Sequence, residues 1–155
     1  LLVVSIIWIP QNIVKKNRIF YGFTLGNNRE ERVPALEALK RHPLAETVTR
    51  WLNFKEYLPF LAIYKFVASP PGSCVEGHRT WDALYIGSVP IVKSSITTEY
   101  FKKIGLPLLV VKNWDELDAF TEEKLELMFT EIRSTTNTSP LYLDYWVDKI
   151  INMKD

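Results

Sequence analysis

Short apolar runs alternate along this chain with segments of helical character, and that alternation constrains the fold more than any other feature. "RIFYGFTL" (residues 18–25) is β-branched and aromatic and stops at "GNN", which predicts a strand. "KFVAS", "VPIVKSS" and "LPLLVVKN" read as buried strands, and "ETVTRW" as a short further one. Strands that are continuously apolar and separated by helices imply a parallel sheet covered on both faces. The expected fold class is therefore α/β, with about four to six parallel strands and helices on both faces.

The intervening helices carry their own signals. "REERVPALEALKRH" places Val33, Leu36 and Leu39 on one face, and Pro34 is acceptable there if it lies in the first turn. "NFKEYLPFLAIY" starts with Asn53 and Glu56 in capping-box spacing and predicts a helix with a kink at Pro59. "GHRTWDALYIG" fits a short helix closed by Gly87, and "TTEYFKKIG" another. "NWDELDAF" repeats the Asn-x-x-Glu signal before "EEKLELMFTEIR". In "SPLYLDYWVDKIINMK", Ser139 is the expected N-cap and Pro140 the first helical residue. The predicted core includes Val67, Ile91, Val92, Leu109 and Val110. Trp81, Leu84 and Tyr85 are expected to pack partly beneath the loop before their helix, with Trp81 as core rather than a stacking platform.

With 155 residues, 47% of them apolar, the chain has enough material for one domain with a real core. Lys plus Arg number 19 and Asp plus Glu 18, so a net charge of +1 supplies no general attraction to nucleic acid or anionic lipid, and any anion site must be local. Cys74 is the sole cysteine, which rules out an internal disulfide and favours the cytoplasmic side over a secretory lumen. The first residue is Leu, which suggests a piece of a longer chain. "LLVVSIIWIP" is apolar but stops at Pro10, short of a membrane span, and residues 1–15 read as an interdomain or leading segment before a domain over residues 16–155.

The chemistry concentrates in "SPPGSCVEGHRTWDALYIGSVPIV". Gly72 and Gly77 have P-loop spacing, but His78 and Arg79 stand where lysine and a hydroxyl residue belong. The Mg²⁺ hydroxyl of a phosphate-loop triphosphatase is therefore missing. The loop follows a strand at its carboxyl end, where ligands of open α/β sheets gather. Its glycines permit unusual backbone angles and close ligand approach. The helix N-terminus and the Arg79 fork suit an anion. Asp82, one turn after His78, can accept hydrogen bonds from ribose or sugar hydroxyls. Spacing leaves a plainer alternative open: an Arg79/Asp82 intrahelical ion pair, with Gly72 serving only the turn. Ser69, Lys93, Ser94 and Ser95 should lie on the same rim, and Asn27, Asn28 and Arg32 could face the ligand from the other side.

The block "YKFVASPPGSCVEGHRTWDALYIGSVPIVKSS" resembles the donor-binding segment of exostosin-like glycosyltransferases of the GT-B fold, and more widely that of fucosyltransferases. The matching features are a "YKF" strand, a basic residue three before a "(D/E)AL" tripeptide, and "G-x-(V/I)-P-(I/V)". Here they are Tyr64 to Phe66, Arg79, Asp82 to Leu84, and Gly87 to Val92. "NNREER" and "VVKNWDEL" extend the likeness more loosely. The resemblance implies one Rossmann-like lobe of a GT-B fold that holds a nucleotide-diphosphate sugar as substrate, with no further cofactor. It also implies an N-terminal lobe that holds a glycan or other hydroxyl acceptor. By position, Arg79 would contact the donor diphosphate with His78, Gly72 and Gly77 around it, and Asp82 would meet ribose or sugar hydroxyls. Two positions depart from the pattern: many such enzymes carry Glu where this chain has Asp82, and fucosyltransferases carry an acid where it has His78. The chain has no Asp-x-Asp for a metal-dependent donor site. Asp115/Asp118 and Asp144/Asp148 fit solvated helix faces, and two histidines are too few for a convincing metal centre. The expected activity is metal-independent glycosyl transfer. The alternative is a non-catalytic scaffold that keeps the fold, with "SIIWIP" and the Trp-containing last helix as partner surfaces.

Overall fold

Parallel pairing orders five strands, β2-β1-β3-β4-β5, in the computed structural model, which describes residues 13–50 and 52–152. The strands are β1 (Lys16–Phe20), β2 (Ala45–Glu46), β3 (Tyr64–Ala68), β4 (Val89–Lys93) and β5 (Leu109–Val111), and every adjacent pair is parallel. Between and after them run α1 (Arg29–Arg41), α2 (Phe54–Leu61), α3 (His78–Tyr85), α4 (Ile96–Lys103), α5 (Glu122–Ser134) and α6 (Leu143–Ile151). The fold is α/β and Rossmann-like. "LLVVSIIWIP" lies outside the described residues.

Neighbouring strand residues point to opposite faces, so each apolar run feeds two cores. Ile19, Phe66, Val89, Ile91 and Val111 meet Ala35, Ala38 and Leu39 of α1 and Leu125 of α5 on one face. On the other, Phe20 and Val67 meet Leu61 and Ala83 from α2 and α3, while Val92 meets Leu84 and Phe101 from α3 and α4. Burial of each such large side chain contributes about 1.5–3 kcal/mol. Val67, Ile91, Val92 and Leu109 are buried as expected, whereas Val110 is only half-buried.

Local chemistry sets the boundaries. α3 ends in a Schellman motif: Gly87 takes φ +73°, its N–H reaches the Leu84 carbonyl at 3.1 Å, and the Ser88 N–H reaches that of Ala83 at 2.9 Å. Asn53 and Glu56 form the expected capping box of α2. Other boundaries differ from the sequence reading. The first strand stops at Phe20, because after the Tyr21 N–H bonds to the Glu46 carbonyl (2.9 Å) the chain leaves the sheet. "ETVTRW" contributes only Glu46 to β2. Pro34 is the sixth residue of α1, so it costs the bond to the Glu30 carbonyl instead of sitting in the first turn. The buried stripe of α1 is Ala35, Ala38 and Leu39, not Val33, Leu36 and Leu39. Asn113 starts a 3₁₀ turn, Trp114–Ala119, ahead of α5. Ser139 and Pro140 form a separate 3₁₀ turn, and the extended Tyr142 delays α6 to Leu143. Tyr85 is 61% exposed, its hydroxyl donating to the Leu141 carbonyl, so it does not pack beneath the loop. Trp81 packs edge-on to Phe101 within the core. No helix among the described residues is long and apolar enough to cross a membrane.

Candidate functional site

The strand order reverses between β1 and β3. From their carboxyl ends the chain departs towards opposite faces, to α1 and to α3, and this divergence leaves a crevice at the topological switch point. A cleft of about 980 Å³ opens there. Its walls are Phe20 at the end of β1 and residues 21–24 after it, Arg32, Leu36 and Lys40 along α1, residues 47–50 after β2, Tyr57 of α2, and His78, Arg79 and Asp82 of α3.

Two arginines dominate its electrostatics. Arg79 donates from Nη2 to the Gly22 carbonyl at 2.6 Å and lies 5.9 Å from the Phe23 ring centroid. Its Nε is buried without a hydrogen-bond partner among the described residues. Arg32 donates to the Pro71 carbonyl (3.0 Å) and the Thr24 carbonyl (2.8 Å). Burial, and then the neighbouring Arg79 charge, hold the Arg32 guanidinium below its ordinary pKa. Among the described residues neither guanidinium has a carboxylate within ion-pair distance. The Arg79/Asp82 ion pair left open by the spacing does not form. The cations therefore face each other across the switch point, anchored by backbone carbonyls, with most of their donors unspent.

Asp82 is the one carboxylate among the residues lining the cleft. Burial pushes its pKa up, and the positive charges of His78 and Arg79 pull partly against that. Tyr57 faces the same groups. Burial raises its phenol pKa, against the Arg79 charge and a hydrogen bond from Arg79, and with the Asp82 charge adding to the rise. His78 opens α3 and is exposed.

The other candidates do not line the cleft. Gly77 has φ −97°, and a Cβ there would meet nothing within 4 Å. Gly72 likewise has no positive φ; its bareness serves Arg32, whose Nη2 would lie 2.4 Å from an added Cβ. The expectation that these glycines supply special backbone angles is thus corrected. Ser69 is buried and bonds Thr80 Oγ1 at 2.8 Å, which ties β3 to α3. Lys93 pairs with Glu31 of α1 at 2.6 Å, so it is neither a free phosphate ligand nor a merely solvated strand end. Ser94 donates to Glu99 (2.7 Å), and Ser95 caps α4. Asn28 takes φ 55° and donates to the Gly72 carbonyl at 3.3 Å, whereas Asn27 is exposed on the loop. Of the named residues the fold gathers Arg32, His78, Arg79 and Asp82 into one cleft.

Sequence reading missed Tyr57, Lys40 and residues 20–24 as walls. One available signal was the capping box at Asn53, which fixes where α2 begins and places Tyr57 in its first turn. Among the described residues, no group of three or more His, Cys, Asp or Glu side chains is placed to hold a metal ion.

No family model matches the chain. It is similar to the human protein "Ribitol-5-phosphate xylosyltransferase 1", 26% identical over 93 residues, which covers 51% of this chain and 21% of that protein. The chain thus matches about a fifth of the relative's length.

Proposed function

We propose that this chain is the donor-binding lobe of a glycosyltransferase, and that the switch-point cleft holds a nucleotide-diphosphate sugar. The observation that carries this is the convergence of Arg32 and Arg79, two like charges without a carboxylate partner among the described residues, on a cleft at the carboxyl edge of the sheet. Such a pair repels itself until an anion arrives, and a diphosphate supplies two charges and several acceptor oxygens. The free N–H groups and dipole of α3 add to the same field. The likeness to a xylosyltransferase supports sugar transfer as the chemistry and suggests a pentose among the donors.

In this reading an acceptor hydroxyl, held by a second lobe, displaces the nucleoside diphosphate at the anomeric carbon. Arg32 and Arg79 stabilise the charge that accumulates on the leaving diphosphate. Protein cations perform that neutralisation, so donor binding persists without a divalent metal. The test is calorimetric titration with UDP and GDP, free and sugar-linked, with and without EDTA. Saturable binding that survives EDTA and weakens about ten- to a hundredfold in Arg79→Ala supports the reading, because a charge-assisted contact is worth roughly 1.5–3 kcal/mol. Failure to bind either diphosphate would favour a scaffold that keeps the fold, and binding abolished by EDTA would overturn the metal-free site.

A further inference from the structure

The cation that Arg79 faces across the switch point has a carboxylate for its neighbour in sequence. Glu31 stands one residue before Arg32 in the first turn of α1, and its side chain is only 28% exposed. An acid there suits the α1 dipole, but it also sets a negative charge beside the guanidinium that the proposed diphosphate must meet. Successive residues of a helix point about 100° apart, so Glu31 and Arg32 do not pair. The field of an unpaired carboxylate would nevertheless reach Arg32 and subtract from its attraction for an anion. The fold answers from another strand. Lys93 ends β4, which β3 separates from β1, and its Nζ donates to Glu31 Oε1 and Oε2, each at 2.6 Å. The lysine side chain is 32% exposed, so solvent screens the pair less than it would at an open surface. Partly exposed ion pairs contribute little to stability, and an apolar contact would tie β4 to α1 as well. What the lysine adds is the cancellation of the Glu31 charge.

We propose that Lys93 is a positioning residue for the anion site, acting through Glu31. By occupying both oxygens of that carboxylate, it keeps the charges of Arg32 and Arg79 undiminished for a nucleoside diphosphate. The inference rests on the donor-binding reading above. The signs of its consequences are fixed by electrostatics alone. Removing Lys93 unmasks a negative charge beside Arg32 and weakens anion binding. Removing the Glu31 charge leaves Lys93 as an additional cation on the same rim and strengthens it. Removing both returns the field close to its native value. A pair that only held β4 against α1 gives a different pattern: either single change loosens α1, and the second change rescues nothing.

The experiment titrates UDP and GDP into the wild-type protein, Lys93→Met, Glu31→Gln and the double variant, at low and at physiological ionic strength. Lys93→Met should bind about three- to tenfold more weakly, and Glu31→Gln about twofold or more tightly than wild type. The double variant should return to within about twofold of wild type, and all these differences should shrink as salt is added. Glu31→Gln conserves shape, so its direction decides the matter by itself if Lys93→Met does not fold. Weaker binding by Glu31→Gln, or a double variant no better than Lys93→Met, would make the pair a structural tie and overturn the proposal. So would wild-type affinity in Lys93→Met. Absence of nucleotide binding by wild type is the separate result that overturns the donor-binding reading, and this inference with it.

Discussion

A carboxylate that burial pushes above its ordinary pKa destabilises the folded protein once it ionises. Asp82 is such a group. The native state holds its proton to higher pH than the unfolded chain does, so the penalty is absent below the unfolded value of about 3.9. It grows as pH rises through the raised native value. Asp82→Asn should therefore raise Tm at pH 7 while weakening ligand binding, and leave Tm unchanged near pH 3; a variant equally stabilised at both pH values would contradict this. The glycines make a second contrast at the same scale. Gly77 has a negative φ and open space around its missing Cβ, so Gly77→Ala should keep or slightly raise stability, by up to about 1 kcal/mol through the unfolded chain. Gly72→Ala must displace Arg32 and should loosen its bonds to the Thr24 and Pro71 carbonyls. A lower Tm for Gly77→Ala than for Gly72→Ala would refute that ordering.

The shortest element shows what a sequence pattern cannot convey. β2 is two residues long and lies at the edge of the sheet. What anchors it is Glu46, which receives hydrogen bonds from Lys16 and from the Tyr64 hydroxyl (3.0 Å), with Arg18 at 3.7 Å. Burial pushes the Glu46 carboxyl up, but those bonds and charges outweigh it and hold its pKa below the ordinary value. Its contribution is thus present above the unfolded carboxylate pKa and lost as pH falls through the lowered native one. Glu46→Gln should reduce Tm at pH 7 and lose that effect in acid. An unchanged Tm at both pH values would mean that solvent screening cancels the cluster. No periodicity announces such a knot, because its members come from three strands. The long apolar runs were legible since both of their faces are buried, and α3 was legible at both ends since Gly77 and Gly87 punctuate it. Tyr21 and Phe23 misled for the same reason that strands were found at all. They are aromatic and follow a strand, but they serve the cleft and the core beneath it, and only the sheet order reveals where β1 must stop. Arg79 and Asp82 could be picked out from local spacing, whereas Tyr57 enters the site through a crossover no local pattern encodes.

At the scale of the whole molecule, the reversal of strand order decides that α1 and α3 lie on opposite faces while their N-terminal turns share one rim. That arrangement brings Arg32 and Arg79 together from positions 47 residues apart in sequence. The two guanidiniums repel, and burial keeps solvent from screening them fully. The fold therefore holds a small electrostatic strain that a bound diphosphate relieves. Saturating nucleoside diphosphate at a hundredfold above Kd should stabilise the protein by about 2.7 kcal/mol, a rise in Tm of roughly 5–10 °C. Because the relief is electrostatic, the shift should shrink as ionic strength rises. Arg79→Gln separates binding from bracing: the shorter amide ends at the level of Nε and gives up the bond to the Gly22 carbonyl, while the repulsion with Arg32 is gone. Its ligand-free Tm should stay close to that of wild type, the lost bond set against the relieved repulsion, while the diphosphate-induced shift collapses. A ligand-free Tm well below wild type, with the shift intact, would show that Arg79 is a brace between the loop after β1 and α3, and that the anion sits elsewhere.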